Sequence, residues 1–399
     1  MANYRQTLRY WYVGQLAVLN IALFLRLFVM GGAAFSAGGF MLIIWTLTAL
    51  LPAFEDEQTA WRRSRRVNDY LQTTILFTGL PLLVGNFIDL LIRLGLDRRG
   101  LIAVAMTYLI VAGVPVATVV TAKIKSLTGR VLILIVPIFS GVVGAQTTLL
   151  VFPGLRAPAG FTVVSDSGIL GVLGIVVTLT SLLACWQVKA PHWRLNAAAN
   201  HGITLLLVLL AVAFSLWNAF SDGDSWATTL TRWNFHLEAP TWAMFLNGLE
   251  PGIAEEWLYR YAVLALMLTM VRRSRARLDW AVWSNGLIFG AWHVTNVLAG
   301  QSWAATSEQM AFAAALGWFY AGLYLYSGSI VLPMGLHAFL DILSMMASGS
   351  QTMAVPDAFE WQTLLVTVVL FAVVTAYLLT GSRRRVVQRR CRQIVEDGN

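Results

Sequence analysis

Three short stretches place residues capable of acid-base chemistry inside strongly apolar sequence. PGIAEEWLYRYAVLALMLTM, residues 251–270, carries Glu255, Glu256 and Arg260. SNGLIFGAWHV carries Phe289 and His293, and VLPMGLHAFLDILS carries His337 and Asp341. Glu256 and Arg260 stand one helical turn apart, the spacing at which an acid and a base neutralise each other. Glu255 lies about 100° around the helix from Glu256 and has no partner in the local sequence. An unpaired carboxylate at membrane depth is costly unless something else uses it. A carboxylate can take a proton from water, a histidine can position that water, and further polar groups can stabilise an oxyanion, so the set suits hydrolysis. A lone histidine in a membrane helix is more often a packing residue. Two histidines, two glutamates and an aspartate in three neighbouring apolar runs favour chemistry instead. His192, His201 and His236 fall in loops or at a helix end and are set aside.

The elements that must position these residues are helices in a bilayer. Of 399 residues, 58% are hydrophobic and 12% charged, with a mean hydropathy of +0.68, outside the balance of soluble domains. Runs of roughly 20 apolar residues, long enough to cross about 30 Å of hydrocarbon as helix, recur along the chain. Strict alternation of the barrel kind is absent, and backbone satisfaction in lipid favours helices. The expected fold is an all-α polytopic membrane bundle of about twelve transmembrane helices. The spans fall at 11–32, 35–54, 70–96, 101–122, 131–151, 168–186, 200–220, 241–271, 279–299, 308–327, 330–347 and 361–380. At 1.5 Å per residue, Glu255 lies roughly 25 Å from Arg272, His293 roughly 21 Å from Asp279, and His337 and Asp341 roughly 12 and 18 Å from Ser329. With tilt, these depths can converge on a polar chamber.

Charge sets the orientation. Arg5 and Arg9, Arg62 to Arg66, Lys123 to Arg130, Lys189 to Arg194, Arg272 to Arg277 and Arg383 to Arg392 all fall on one side. The positive-inside tendency makes that side cytoplasmic, and with it both termini; Arg98 and Arg99, in a tight loop opposite, are outnumbered. The net charge of +8 therefore reflects topology and attraction to anionic headgroups. No nucleic-acid partner is implied; the expected partners are the lipid bilayer and a membrane-associated protein or peptide substrate. The first apolar run is long and lacks a small-residue cleavage site, so the first helix is expected to be retained. Cys185 and Cys391 cannot build a framework of bridges, and a tail cysteine beside a membrane is at most a candidate for acylation. Arg26, and Asp89 with Arg93 one turn on, read as structural charges. The expected organisation is accessory helices over 1–220, a working core over 240–347, and a final helix with a basic tail over 348–399.

Taken in order, E-E-x-x-x-R at Glu255, Glu256 and Arg260, F-x-x-x-H at Phe289 and His293, and H-x-x-x-D at His337 and Asp341 resemble the motifs of the CPBP intramembrane proteases. That family includes the type II CAAX prenyl endopeptidases and bacteriocin-immunity relatives. The resemblance covers about residues 240–347, and its specificity lies in the three motifs together. It implies a helical membrane endopeptidase in which Glu255 activates water, His293 helps hold that water, and His337 and Asp341 face the oxyanion. Glu256 and Arg260 then support the site, with Phe289. A multi-pass place in a bacterial plasma membrane is the corresponding expectation.

Two positions depart from the family pattern. Tyr261 stands where glycine is common, and Asp341 where many relatives have asparagine. An ionised aspartate cannot donate to an oxyanion, so Asp341 must be protonated, orient His337 or bind a metal. A Zn2+ set of His293, His337 and Asp341 is the alternative to a cofactor-free site, since two histidines and a carboxylate are a common catalytic zinc set. No H-E-x-x-H motif is present, and the metal-free reading is preferred. Two other functions compete: a catalytically silent scaffold or immunity protein of the same fold, and a secondary transporter. A transporter's sites lie between internal repeats, whereas here the polar cluster is confined to the C-terminal third.

Overall fold

The computed structural model describes residues 2–26, 44–54, 62–145, 161–238, 241–270, 277–350 and 352–396. The first part of the expected span 35–54, the end of 131–151 and the segment 271–276, with the basic residues Arg272, Arg273 and Arg275, lie outside them. The helices used below are α1 (Ala2–Phe24), α2 (Arg62–Arg93), α3 (Arg98–Val119), α4 (Leu127–Ile133), α5 (Ile169–Cys185), α6 (His201–Phe220), α7 (Trp242–Glu256), α8 (Leu264–Met270), α9 (Arg277–Trp292), α10 (Trp303–Ser327), α11 (Val331–Ser348), α12 (Ala358–Leu378) and α13 (Gly381–Glu396). Two compact units divide the chain, Met1–Trp186 and Gln187–Asn399.

The architecture is helical, and among the described residues the one β-bridge joins Ser221 to Trp233. Among the described residues, five helices are long and apolar enough to cross a membrane: Arg63–Arg93, Arg98–Lys123, His201–Phe220, Val331–Ser348 and Ala358–Leu378. The expected count of about twelve is not confirmed by them, and several apolar runs are not single uninterrupted helices. The run read as 241–271 divides into α7, a π-helical segment Trp257–Val263, and α8. The run read as 279–299 leaves the α conformation at His293 and continues as a 3-10 stretch, His293–Ala299. Leu127–Val143 and Ile169–Cys185 are apolar but shorter.

Within the N-terminal unit, α3 packs against α2 and α5. Asp89 takes Arg93 at 3.0 Å, as its spacing predicts, and also Arg26 at 3.2 Å. A carboxylate between two guanidiniums at the edge of an apolar helix is a structural neutralisation.

In the C-terminal unit, α7 runs along α11, α9 along α10, and α10 along α12. Side chains cap the helix starts by accepting from otherwise orphaned backbone N–H groups: Thr241 from Met244, Asn200 from Ile203, Ser302 from Ala305. Gly328, at a φ of +77°, closes α10 in the left-handed region, a conformation that costs glycine nothing and other residues a Cβ clash.

Candidate active site

Small residues set the register that brings the motifs together. On α7, Gly248 and Gly252 stand one turn apart and face α11 without side chains. A Cβ at Gly252 would lie 2.6 Å from the backbone N of Ala338, and one at Gly248 2.6 Å from that of Ile342. The close approach therefore places Gly252 against the neighbour of His337 and Gly248 against the neighbour of Asp341. One turn beyond Gly252 is Glu256. Backbone approach through a G-x-x-x-G pair is the way apolar helices associate where lipid removes the hydrophobic drive. Gly252→Ala is expected to cost about 1–3 kcal/mol through overpacking, read as a lower melting temperature in detergent. Gly335→Ala, on α11 with nothing within 4 Å of its Cβ, is expected to leave the melting temperature unchanged or raised.

The second motif is placed the same way. Cβ atoms at Gly286 and Gly290 of α9 would strike the backbone of α10 at Trp318, Met310 and Ala314, and Trp318 Nε1 donates to Trp283 O at 2.9 Å. This packing leaves Phe289 fully buried, and its ring is where the three motifs meet. The Arg260 guanidinium lies 4.5 Å from its centroid, and the rings of His293 and His337 stand edge-on at 5.2 and 5.9 Å. Tyr320, from α10, stacks on His337 at 5.5 Å.

A chain of charged groups runs through this cluster. Arg260 Nε lies 3.0 Å from Glu256 Oε2, with both side chains at 0% exposure. The contact is an ion pair rather than an aligned hydrogen bond, since neither atom makes one and neither Arg260 Nη finds a hydrogen-bond partner. The guanidinium instead presents its face to Phe289 and, at 5.6 Å, to Tyr320, a cation–π arrangement strengthened by desolvation. Glu256 Oε1 accepts from His337 Nδ1 at 2.9 Å. The other ring nitrogen, Nε2, faces Asp341 Oδ2 at 3.4 Å and Glu255 Oε2 at 3.8 Å. Exposure rises outward along this chain, from Glu256 at 0% through His337 at 7% to Glu255 at 13% and Asp341 at 25%. Thus Glu256 and Arg260 are sealed while Glu255 and Asp341 reach the open side. His293 directs Nδ1 at the carbonyl of Phe289, 3.1 Å away, which leaves Nε2 as its second hydrogen-bonding site.

Residues 237–343 match the family model of the type II CAAX prenyl endopeptidases, Rce1-like. The match supports the resemblance to the CPBP family over this segment. No curated protein and no solved structure matches the chain. The matched residues of the Rce1-like domain run from just before α7 into α11 and contain all seven motif residues, the two glycine contacts and the Phe289 hub.

Sequence reasoning missed three parts of the Rce1-like domain. Glu250, one turn before Ala254 on α7, is close enough to His337, Asp341 and Glu255 to couple electrostatically with each. It sits beside Pro251 at the edge of the apolar run, where a carboxylate reads as a helix-end charge. Tyr320 carries no motif signal, because one tyrosine in an aromatic helix is ordinary core. Asn285 is fully buried and donates to Tyr259 O at 2.9 Å. That carbonyl also accepts from Leu264 N–H, five residues on, in the π-helical turn. Such a turn is a common insertion at functional sites, and here it carries Arg260 and Tyr261.

The zinc set requires His293, His337 and Asp341 to converge on one point. Among the described residues, no three His, Cys, Asp or Glu side chains are arranged to hold a metal ion. His337 gives Nδ1 to Glu256 and turns Nε2 to Asp341 at 3.4 Å and Glu255 at 3.8 Å, while His293 gives Nδ1 to the Phe289 carbonyl. The three side chains are not gathered into a zinc-binding group among the described residues.

Proposed function

We propose that the C-terminal unit is an intramembrane endopeptidase that hydrolyses a peptide bond in a membrane-associated or lipidated protein or peptide, with Glu255 activating water and no metal taking part. The supporting observation is the exposure gradient: the only sealed carboxylate of the motif, Glu256, is neutralised by Arg260, while Glu255 stands outward beside a histidine. Glu255 takes a proton from water as the water oxygen bonds to the scissile carbonyl carbon. The proton then passes to the leaving nitrogen as the C–N bond breaks, and a carboxylic acid and an amine result. His293, its Nδ1 held by the Phe289 carbonyl, offers Nε2 to the attacking water. His337, held through Nδ1 by Glu256, presents Nε2 toward the developing oxyanion.

Asp341 stands where the resemblance implies asparagine in many relatives, and its contact with His337 Nε2 at 3.4 Å favours the reading in which it orients the histidine. Asp341→Asn is expected to preserve or raise the rate: the amide supplies a donor that an ionised carboxylate lacks, and a negative charge beside the oxyanion is removed. Rate and bound zinc, measured together on purified parent and variant, test this. Stoichiometric zinc in the parent that is lost together with activity in the variant would replace the metal-free mechanism by a zinc one. The activity itself is tested by comparing protein termini in membranes that carry the parent with those that carry Glu255→Gln. Shortened membrane proteins specific to the parent are expected. Identical termini would favour the catalytically silent scaffold.

A further inference from the structure

Away from the motif cluster, the other side of the π-helical turn opens onto a recess with no assigned role. Its walls come from the loop after residue 187, from α8, α10 and α13, and from the turn itself, and include Lys189, His192, Tyr261, Tyr324 and Arg390. The recess is shallow and open on one side, with an enclosed volume of about 20 Å³, so an occupant would sit at its mouth with only its head between these walls. None of the lining residues is acidic.

Two of the walls are unusual. Arg390 lies on the buried face of α13, with Val387, Cys391 and Val395, and is only 5% exposed. Among the described residues it has no carboxylate within ion-pair distance. Its Nε has no hydrogen-bond partner, Nη1 reaches Gln393 Oε1 only at a long 3.4 Å, and the guanidinium also donates to the Tyr324 hydroxyl, whose ring centroid lies 5.9 Å away. Tyr261, 2% exposed, likewise buries a hydroxyl with no partner. A buried guanidinium and a buried hydroxyl are costly unless something accepts from them.

We propose that the recess binds a phosphate-bearing anion, held by the Arg390 guanidinium and the Tyr261 hydroxyl with Lys189 supplying further positive charge. The guanidinium fork matches phosphate oxygens in geometry and charge, and the tyrosine O–H donates to a third. The anion docks α13 on α8 and α10, the helices against which α13 already packs. At the other end of α13, Arg384 holds Asp279 of α9 through two bonds of 2.6 and 2.7 Å, so the tail helix is fastened at both ends. A phospholipid headgroup and free phosphate supply the same chemistry, and the test separates them.

Full-length protein in neutral detergent is melted at fixed ionic strength with inorganic phosphate, with phosphatidylglycerol, or with phosphatidylcholine, and the concentration dependence of the shift is fitted to an apparent affinity. Stabilisation by phosphatidylglycerol alone identifies a lipid headgroup; stabilisation by inorganic phosphate as well identifies phosphate itself as sufficient. In either case Arg390→Gln and Tyr261→Phe are each expected to weaken the effect about tenfold, the worth of one hydrogen bond to a charged group. Arg389→Gln, which removes an equal charge from an exposed position, is expected to leave it unchanged. Tyr261→Phe retains the ring and removes only the hydroxyl, so its effect is independent of any folding defect in Arg390→Gln. No stabilisation of the parent by either anion would overturn the proposal, as would equal losses in Arg389→Gln and Arg390→Gln.

Discussion

Arg260→Ala is expected to lower the stability of the C-terminal unit by about 3 kcal/mol or more, the cost of stripping one partner from a buried ion pair. Arg260 and Glu256 are both fully buried, so removing the guanidinium leaves the Glu256 carboxylate in an apolar setting with His337 Nδ1 as its remaining partner. It also empties the space over Phe289 and Tyr320 that the guanidinium fills. The loss therefore combines an unpaired charge with a cavity. Thermal unfolding in detergent measures it. The double variant Glu256→Gln with Arg260→Met, which removes both charges and keeps most of the volume, is expected to recover much of the stability, because a buried pair replaced as a whole is often nearly neutral. Its activity is not expected to return, since Glu256 also holds His337. An Arg260→Ala variant as stable as the parent would contradict the pairing.

The local part of this arrangement was legible in the sequence. Helical spacing alone pairs Glu256 with Arg260 and leaves Glu255 over. What spacing cannot say is which carboxylate a histidine some eighty residues later will meet. The steric fit of Gly248 and Gly252 against the backbone of Ala338 and Ile342 decides that, and a glycine in an apolar run reads equally well as a packing contact with any neighbour. The same limit applies to Phe289: the motif names it, but its place as the ring that Arg260, His293 and His337 all touch depends on how α9 packs on α10. Helix count was the least legible quantity. Hydropathy registers apolar length and is blind to a π-helical turn at Trp257–Val263 or a 3-10 stretch from His293 onward. The first interruption carries Arg260 and the second begins at His293, and irregular turns of this kind are frequent at functional sites.

Glu255→Gln is expected to abolish proteolysis and leave folding intact. The substitution keeps shape and volume and removes the basic oxygen. Glu255 takes no part in the sealed Arg260–Glu256 pair, and its nearest cationic partner, His337, stands 3.8 Å away, too far for a hydrogen bond. Little stabilisation is therefore lost, and the melting temperature in detergent should stay close to that of the parent. Removal of a general base typically costs about 10²–10⁴ in rate, and the other two motif carboxylates are already engaged. Glu256 is sealed by Arg260, and Asp341 faces the same histidine nitrogen as Glu255.

The most direct test uses a peptide spanning a cleavage site found by the comparison of termini, with purified parent and Glu255→Gln matched for melting temperature. Their single-turnover cleavage rates are then measured side by side. A fall of at least about a hundredfold at unchanged stability is the predicted result, and a Glu255→Gln rate within a few-fold of the parent would contradict the assignment of Glu255 as the base.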